Sequence, residues 1–420
     1  MKRSSIQNVL SVLCLLAATH GLAGSQAPTR VWPNPESRAN SDDWLRLRHR
    51  EIRQLQPRLL VINYVNGLTE DEVRKRVDAI IAAVREASRY HGYRDPQATP
   101  FLEYRIAHIA NLTDDHPLPE SDRMEGNSSL YPRVPDWKEG NNFRYEVLFT
   151  EEYAHLLRIP HPDRPGRPVT LGAAVRDGLV HEVWILALQG RFGAPHSVVE
   201  LKQAYDDSLR KIPGRSVHAG TGAPQDLPFL GRSLRIVHIN PERGVGCALE
   251  NIGRSLEEIA RSRAIPYFTR YFTEFTGADL KTRYRTPFST WEGRQPGTEL
   301  AYPAPDTVLY RYKGEQFAIR NYVAPPGNVR FPPNARREYD MDNPEPVLSN
   351  IEHFRLRDGK DGRDRAEPYT PERIAPYRAL APDCMGPWIV YWLQNLPGLN
   401  TRARDDQDLP MRNWWVFLFY

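Results

Sequence analysis

The sequence predicts an α/β fold: a mainly parallel sheet with flanking helices, covered by an irregular aromatic- and Pro-rich C-terminal region. Three stretches carry that expectation. The first is residues 234–260, LRIVHINPERGVGCALENIGRSLEEIA. Leu234, Ile236, Val237 and Ile239 form the short apolar run of a strand covered on both faces. Asn240 then reads as a helix N-cap with Pro241 at the first helical position, and Val245, Leu249, Ile252, Leu256 and Ile259 fall on one face. The second stretch is 58–109. A strand at 58–65 leads to a capping box at Thr69 and Glu72. A helix with Val73, Val77, Ile80, Ile81 and Val84 on one side follows, then a strand at 101–109. The third is VHEVWILAL at 180–188, an apolar core strand. Strands alternating with helices imply a parallel sheet.

The remaining elements follow in order. Residues 1–23 read as a secretory leader, with Lys2 and Arg3 ahead of an apolar core at 9–18 and Gly21-Leu22-Ala23 at the cleavage site. Residues 24–57 form a polar arm with a short helix near 44–55, and 58–263 form the α/β core. Within the core, 111–142 is a long polar loop, 150–157 and 171–177 are short helices, 197–210 is helical and 214–228 is a Gly- and Pro-rich link. Residues 264–420 form a region packed on the core. Its prolines and aromatics suit loops rather than a sheet of its own, with a helix at 387–396. Trp414–Tyr420, WWVFLFY, is expected as a buried strand or extended segment, because so large an exposed apolar patch is rare.

Composition narrows the function classes. Loss of Lys2 and Arg3 takes the formal charge from +4 to +2, and basic residues are interleaved with acidic ones. Nucleic-acid binding is not expected, since it needs clustered Lys and Arg. The apolar core of the leader is short of the roughly 20 residues that span a bilayer, so no membrane span is expected in the mature chain. No cofactor is implied. Gly244-Val-Gly246 lacks the third glycine of a dinucleotide loop, and His181-Glu182 is not followed by a His at 185, so a zinc motif of that type is absent. There is neither a G-x-S-x-G elbow nor a phosphate-binding P-loop. With Cys14 in the leader, Cys247 and Cys384 remain, either as one disulfide or as two buried thiols.

Glu242, Arg243 and Asn240 lie just beyond the carboxyl end of the 234–239 strand, where ligands bind in open α/β sheets. Glu242 is a candidate acid or base. Arg243 in a first helical turn opposes the helix dipole, so a carboxylate or an anionic ligand is expected beside it. Glu200 is a candidate second carboxylate facing Glu242, in the manner of a glycosidase pair. Glu182, inside an apolar strand, is either ion-paired or at a cleft. The 334–340 segment, with Asn334, Arg337, Tyr339 and Asp340, has the polar and aromatic mixture of a sugar-binding loop. Three functions are therefore in view. One is glycan hydrolysis by Glu242 and Glu200, with Arg243 positioning a substrate. Another is non-catalytic binding of a small molecule or glycan in the same cleft. The third is metal-dependent hydrolysis by dispersed His and Asp.

Four landmarks together resemble a family of secreted, mostly bacterial α/β proteins with no assigned activity. They are FTEEY at 149–153, GLVHEVWI at 178–185, residues 235–257 and VRFPPNARREYDMDNP at 329–344. The most specific part is Asn240-Pro241-Glu242-Arg243-Gly244-Val245-Gly246. The family usually carries a His where this chain has Arg254. The resemblance implies a fold and candidate positions, and no chemistry.

Overall fold

The computed structural model describes residues 30–38, 40–114, 126–134, 141–190, 193–294 and 296–420. The expected leader lies outside them. Strands β1 (Val31–Trp32) and β2 (Gln54–Leu55) pair in parallel on either side of helix α1 (Ser41–Arg48). The central sheet has six strands: β3 (Arg58–Asn63), β4 (Arg105–Asn111), β5 (Glu182–Leu186), β6 (Val198–Tyr205), β7 (Lys211–His218) and β8 (Leu234–Ile239). Their order is β4-β3-β5-β8-β6-β7. Helices α2 (Glu70–Ala87) and α5 (Val245–Ser262) cover one face, and α3 (Glu151–Leu157) and α4 (Leu171–Arg176) the other.

A mainly parallel sheet is not what forms. β4, β3, β5 and β8 are parallel neighbours, whereas β6 runs antiparallel to both β8 and β7. The difference comes from 197–210, expected as a helix, and from the start of the expected link, which forms β7. In β6 alternate residues serve opposite faces. Val198 packs with the α2–α5 layer and Val199 with the α3–α4 layer. Glu200, expected on a helix facing Glu242, lies instead on one face of β6 with Lys202, and the two neutralise each other. Pro213 and Gly214, at a φ of +68°, are tolerated because β7 is an edge strand.

The region after residue 263 corrects the expectation of loops alone. It begins with α6 (Pro266–Thr276) and α7 (Leu280–Arg283). Strands β9 (Leu300–Ala304), β10 (Thr307–Tyr312) and β11 (Glu315–Arg320) then form an antiparallel meander. Lys313 and Gly314, both at positive φ, make the two-residue hairpin between β10 and β11. A further pair joins β12 (Val347–Ser349) to β13 (Glu367–Tyr369). Helix α8 (Gly386–Gln394) is buried on every side and lies against α5. Gly246 permits that approach, since a Cβ there would lie 2.9 Å from Gly386 Cα, while Gly253 makes room for Val329, whose Cγ2 would lie 2.8 Å from a Cβ there. Trp414–Leu418 is a buried 3₁₀ helix, not a strand. No helix among the described residues is long and apolar enough to cross a membrane.

A buried ionic row fastens this segment to the sheet. Glu182 on β5 pairs with Arg235 on β8, and its carboxylate also accepts from Tyr104 Oη at 2.8 Å and Trp184 Nε1 at 2.7 Å. Arg235 Nη1 donates to the Leu418 carbonyl at 3.0 Å, and its guanidinium lies 5.2 Å from the Phe419 ring centroid. Burial works against the charge on Arg235, but Glu182, Tyr104 and Glu200 together outweigh it and the pKa rises. Lys202 Nζ donates to Glu200 Oε1 at 2.9 Å, both side chains being fully buried. His49 makes a second tie: its Nε2–H donates to the Asn413 carbonyl at 2.8 Å, and Nδ1 accepts from Tyr420 Oη at 2.7 Å. That arrangement needs a neutral ring.

Two outcomes follow from these ties. Removing Arg235, as in Arg235→Met, leaves Glu182 buried without a counter-ion and lowers unfolding stability by about 3–5 kcal/mol in a denaturant titration. Burial lowers the His49 pKa to about 3, so the folded state holds fewer protons than the unfolded one as pH falls below about 6.5. The stability contributed by neutral His49 is complete above about pH 6.5 and is lost on descending toward pH 3. The expected slope in that window is about 1.4 kcal/mol per pH unit for one proton. His49→Gln flattens the dependence by close to one proton; an unchanged slope would discount the site.

Candidate functional site

β5 and β8 end side by side at Leu186 and Ile239, and two clefts open there. They share Ile239 and Arg243. The first, about 390 Å³, lies between α2 and the turn after β8. Val77, Ile80, Leu186, Ile239 and Val245 give it an apolar floor, and Lys75, Arg76 and Arg243 supply cations at its margin. Glu72, the acid in the lining, is engaged in the capping box of α2, accepting from Thr69 N at 2.9 Å. That bond lowers the pKa of Glu72.

The turn differs from the expected helix start. Asn240 Oδ1 accepts from Glu242 N at 3.0 Å, and Arg243 N donates to the Asn240 carbonyl at 3.1 Å. Asn240 therefore shapes a tight turn, and α5 begins at Val245. The amides at its start are held by Asp383, whose carboxylate accepts from Gly244 N at 2.9 Å and Gly246 N at 2.8 Å. Next to it, Cys384 is joined to Cys247 by a disulfide with the Cα atoms 5.3 Å apart. An internal carboxylate thus holds the helix start, where the sequence left open a carboxylate or an anionic ligand. Glu242 and Arg243 are both exposed. Neither side chain has a hydrogen-bond or ion-pair partner among the described residues. Arg76 Nη1 donates to the Pro241 carbonyl at 3.0 Å, tying α2 to the turn.

The second cleft, about 260 Å³, is polar. Gln189, Ser197, His238, Asn251, Glu250, Arg254 and Tyr339 are among its walls. Glu250 Oε1 accepts from Arg254 Nη2 at 2.6 Å and from Tyr339 Oη at 3.3 Å. Arg254, where the resembled family carries His, is thus a partner of Glu250. Burial, aided by Arg243, lowers the His238 pKa to about 4, and its ring nitrogen Nε2–H donates to the Ala187 carbonyl at 2.8 Å.

The candidate carboxylates do not converge. Glu200 lies in β6, paired with Lys202, rather than in a loop-helix facing Glu242. Glu182 is enclosed by Arg235, Tyr104 and Trp184. In the 334–340 loop, Asn334 is buried and its Nδ2 donates to the carbonyls of Asn343 and Glu345 at 2.7 and 2.9 Å. Asp340 accepts from Arg336 Nε at 2.7 Å. These two residues hold the loop, while Tyr339, 49 % exposed, reaches the polar cleft and Arg337 faces a separate cavity. Among the described residues, one group of three has metal-ligand spacing: Cys247, Asp383 and Cys384. Its sulfurs are bonded to each other and its carboxylate caps α5. Lys75, Arg76, Asp383 and Glu250 were not legible as site residues, because each sits on a helix face or in a loop whose neighbours are remote in sequence.

No family model, curated protein or solved structure matches the chain.

The clasp on α5 has a measurable weight. Reduction of Cys247–Cys384 is expected to lower stability by about 2–4 kcal/mol, and Asp383→Ala by about 1 kcal/mol through loss of the cap. Urea titrations of oxidised, reduced and Asp383→Ala protein measure both; equal midpoints for all three would show that α5 is held from elsewhere.

Proposed function

We propose that the protein is an exported, non-catalytic binding protein whose apolar cleft takes a small anionic ligand with an apolar body. One observation carries this reading. Lys75 and Arg243 stand at the rim of a mainly apolar cleft with no carboxylate partner among the described residues. A bound acid group would supply the missing counter-charge while its hydrocarbon part covers Ile80, Leu186 and Ile239. The volume of about 390 Å³ is within the usual range for small-molecule sites. The location, at the carboxyl ends of β5 and β8, is the customary one. Export is supported by the leader-like 1–23 and by a disulfide suited to an oxidising compartment.

Glycoside cleavage is the less favoured reading. It needs two carboxyl groups roughly 5–10 Å apart across the scissile bond, and Glu182 and Glu200 are engaged in buried ion pairs while Glu242 is in solvent. The polar cleft offers Ser197 and His238 without a hydrogen bond between their side chains.

Titration calorimetry with medium-chain fatty acids, arylalkanoic acids and the matching uncharged alcohols tests the proposal. The acids are expected to bind at least about ten-fold more tightly than the alcohols, as one charge-assisted contact implies. Arg243→Gln removes about that factor and leaves the thermal midpoint unchanged. Absence of saturable binding by any acid would overturn the reading, and so would turnover of a polysaccharide that Glu242→Gln abolishes.

A further inference from the structure

Arg294, Arg336 and Arg337 converge on one more cavity, of about 480 Å³, with Thr298, Glu299 and Leu300 completing its lining. It shares no lining residue with the two clefts at the strand ends. The charges in it are unbalanced. Arg294 Nη1 donates to the Trp291 carbonyl at 2.6 Å and Nε to the Thr298 carbonyl at 3.3 Å, and the guanidinium lies 5.5 Å from the Phe331 ring centroid. No carboxylate contacts it among the described residues, and burial lowers its pKa. Arg336 meets Asp340 through Nε and Nη2. Arg337 is exposed and has no partner among the described residues. Glu299 is turned to Arg311, at 3.1 Å.

A second observation is independent of the arginines. Thr298 is 9 % exposed, and its Oγ1 is buried with no hydrogen-bond partner among the described residues. A buried hydroxyl left unpaired costs about 1–3 kcal/mol, so its persistence beside a cation cluster points to a partner other than the described residues. Three guanidinium groups and one hydroxyl are all donors. A carboxylate, with two oxygens and one charge, would leave part of that set unused, whereas a tetrahedral oxyanion offers more acceptors and more charge, in a shape that arginine grips through two parallel bonds.

We propose that Arg294, Arg336, Arg337 and Thr298 form a binding site for a phosphate or sulfate group. The site gives a role to the Arg336-Arg337 step of the 334–340 loop, which the strand-end clefts leave unused. Asn334 and Asp340 hold that loop in place, and the arginines between them face the cavity.

The test uses the full mature protein and three probes: sodium phosphate, sodium sulfate and a sulfated polysaccharide, each titrated against sodium chloride at matched ionic strength. Saturable binding of phosphate or sulfate beyond the chloride baseline is expected. It should weaken about ten-fold in Arg337→Ala and several-fold in Thr298→Val, with Thr298→Ser restoring it. Arg337 is exposed, so its variant should keep the wild-type thermal midpoint. Arg243→Gln should bind these probes as wild type does, which separates this site from the one at the strand ends. Binding of the inorganic ions alone supports a free oxyanion, and binding of the polysaccharide alone, with the same variant sensitivity, supports an ester group on a polymer. Equal effects of chloride and the oxyanions, binding that Arg337→Ala leaves intact, or no binding of any probe would overturn the proposal.

Discussion

The contact between Arg235 and Glu182 ties the centre of the sheet to the C-terminal turn. It bridges two parallel strands at their amino ends, below the clefts. From that point Arg235 also reaches the Leu418 carbonyl and the Phe419 ring, so the sheet and the last helical turn are held through one guanidinium. A buried ion pair is weak evidence for net stability, since desolvation offsets much of the attraction. Its geometric effect is clearer. The demand that neither charge be left alone fixes the register of β5 against β8 and admits one placement of the 414–418 turn. Both strand ends that form the clefts inherit that register.

The same logic governs the opposite end of the strands. Asp383 brings a carboxylate from far along the chain to the first amides of α5, and the neighbouring disulfide fixes it there. Helix termini attract anions because their amides lack intrahelical partners. Here the chain fills that need itself. Arg243, two residues before the helix, is therefore left beside an apolar surface with a charge that no side chain among the described residues answers.

Much of the central architecture was legible from periodicity. Residues 234–260 show the passage from strand to helix, and Val73, Val77, Ile80 and Val84 give α2 its buried face. Charged pairs were the chief source of error. Glu200 and Lys202, two apart, present the same pattern as exposed positions, and only the strand they belong to reveals that they neutralise each other inside. The helix start was misplaced for a related reason: Asn240 followed by Pro241 has the form of a cap, but the capping group is Asp383, 139 residues beyond Gly244. For Trp414–Tyr420 burial was readable and conformation was not, since a fully apolar run has no period to distinguish a strand from a helical turn. The candidate carboxylates suffered likewise, because isolation and convergence are both properties of the fold.

The polar cleft is walled by segments drawn from widely separated parts of the chain: Gln189 after β5, Asn251 and Arg254 on α5, Tyr339 from a loop and Cys384 ahead of α8. The walls on α5 and at the end of β8, where His238 and Ile239 lie, are bound into the packed layers. Tyr339 projects from a loop whose shape is maintained by Asn334 and Asp340, and its own side chain is half exposed. Substitution at Tyr339 would reshape one wall of the cleft while the scaffold remains as it is. The shape of the cleft can thus change independently of the packed layers.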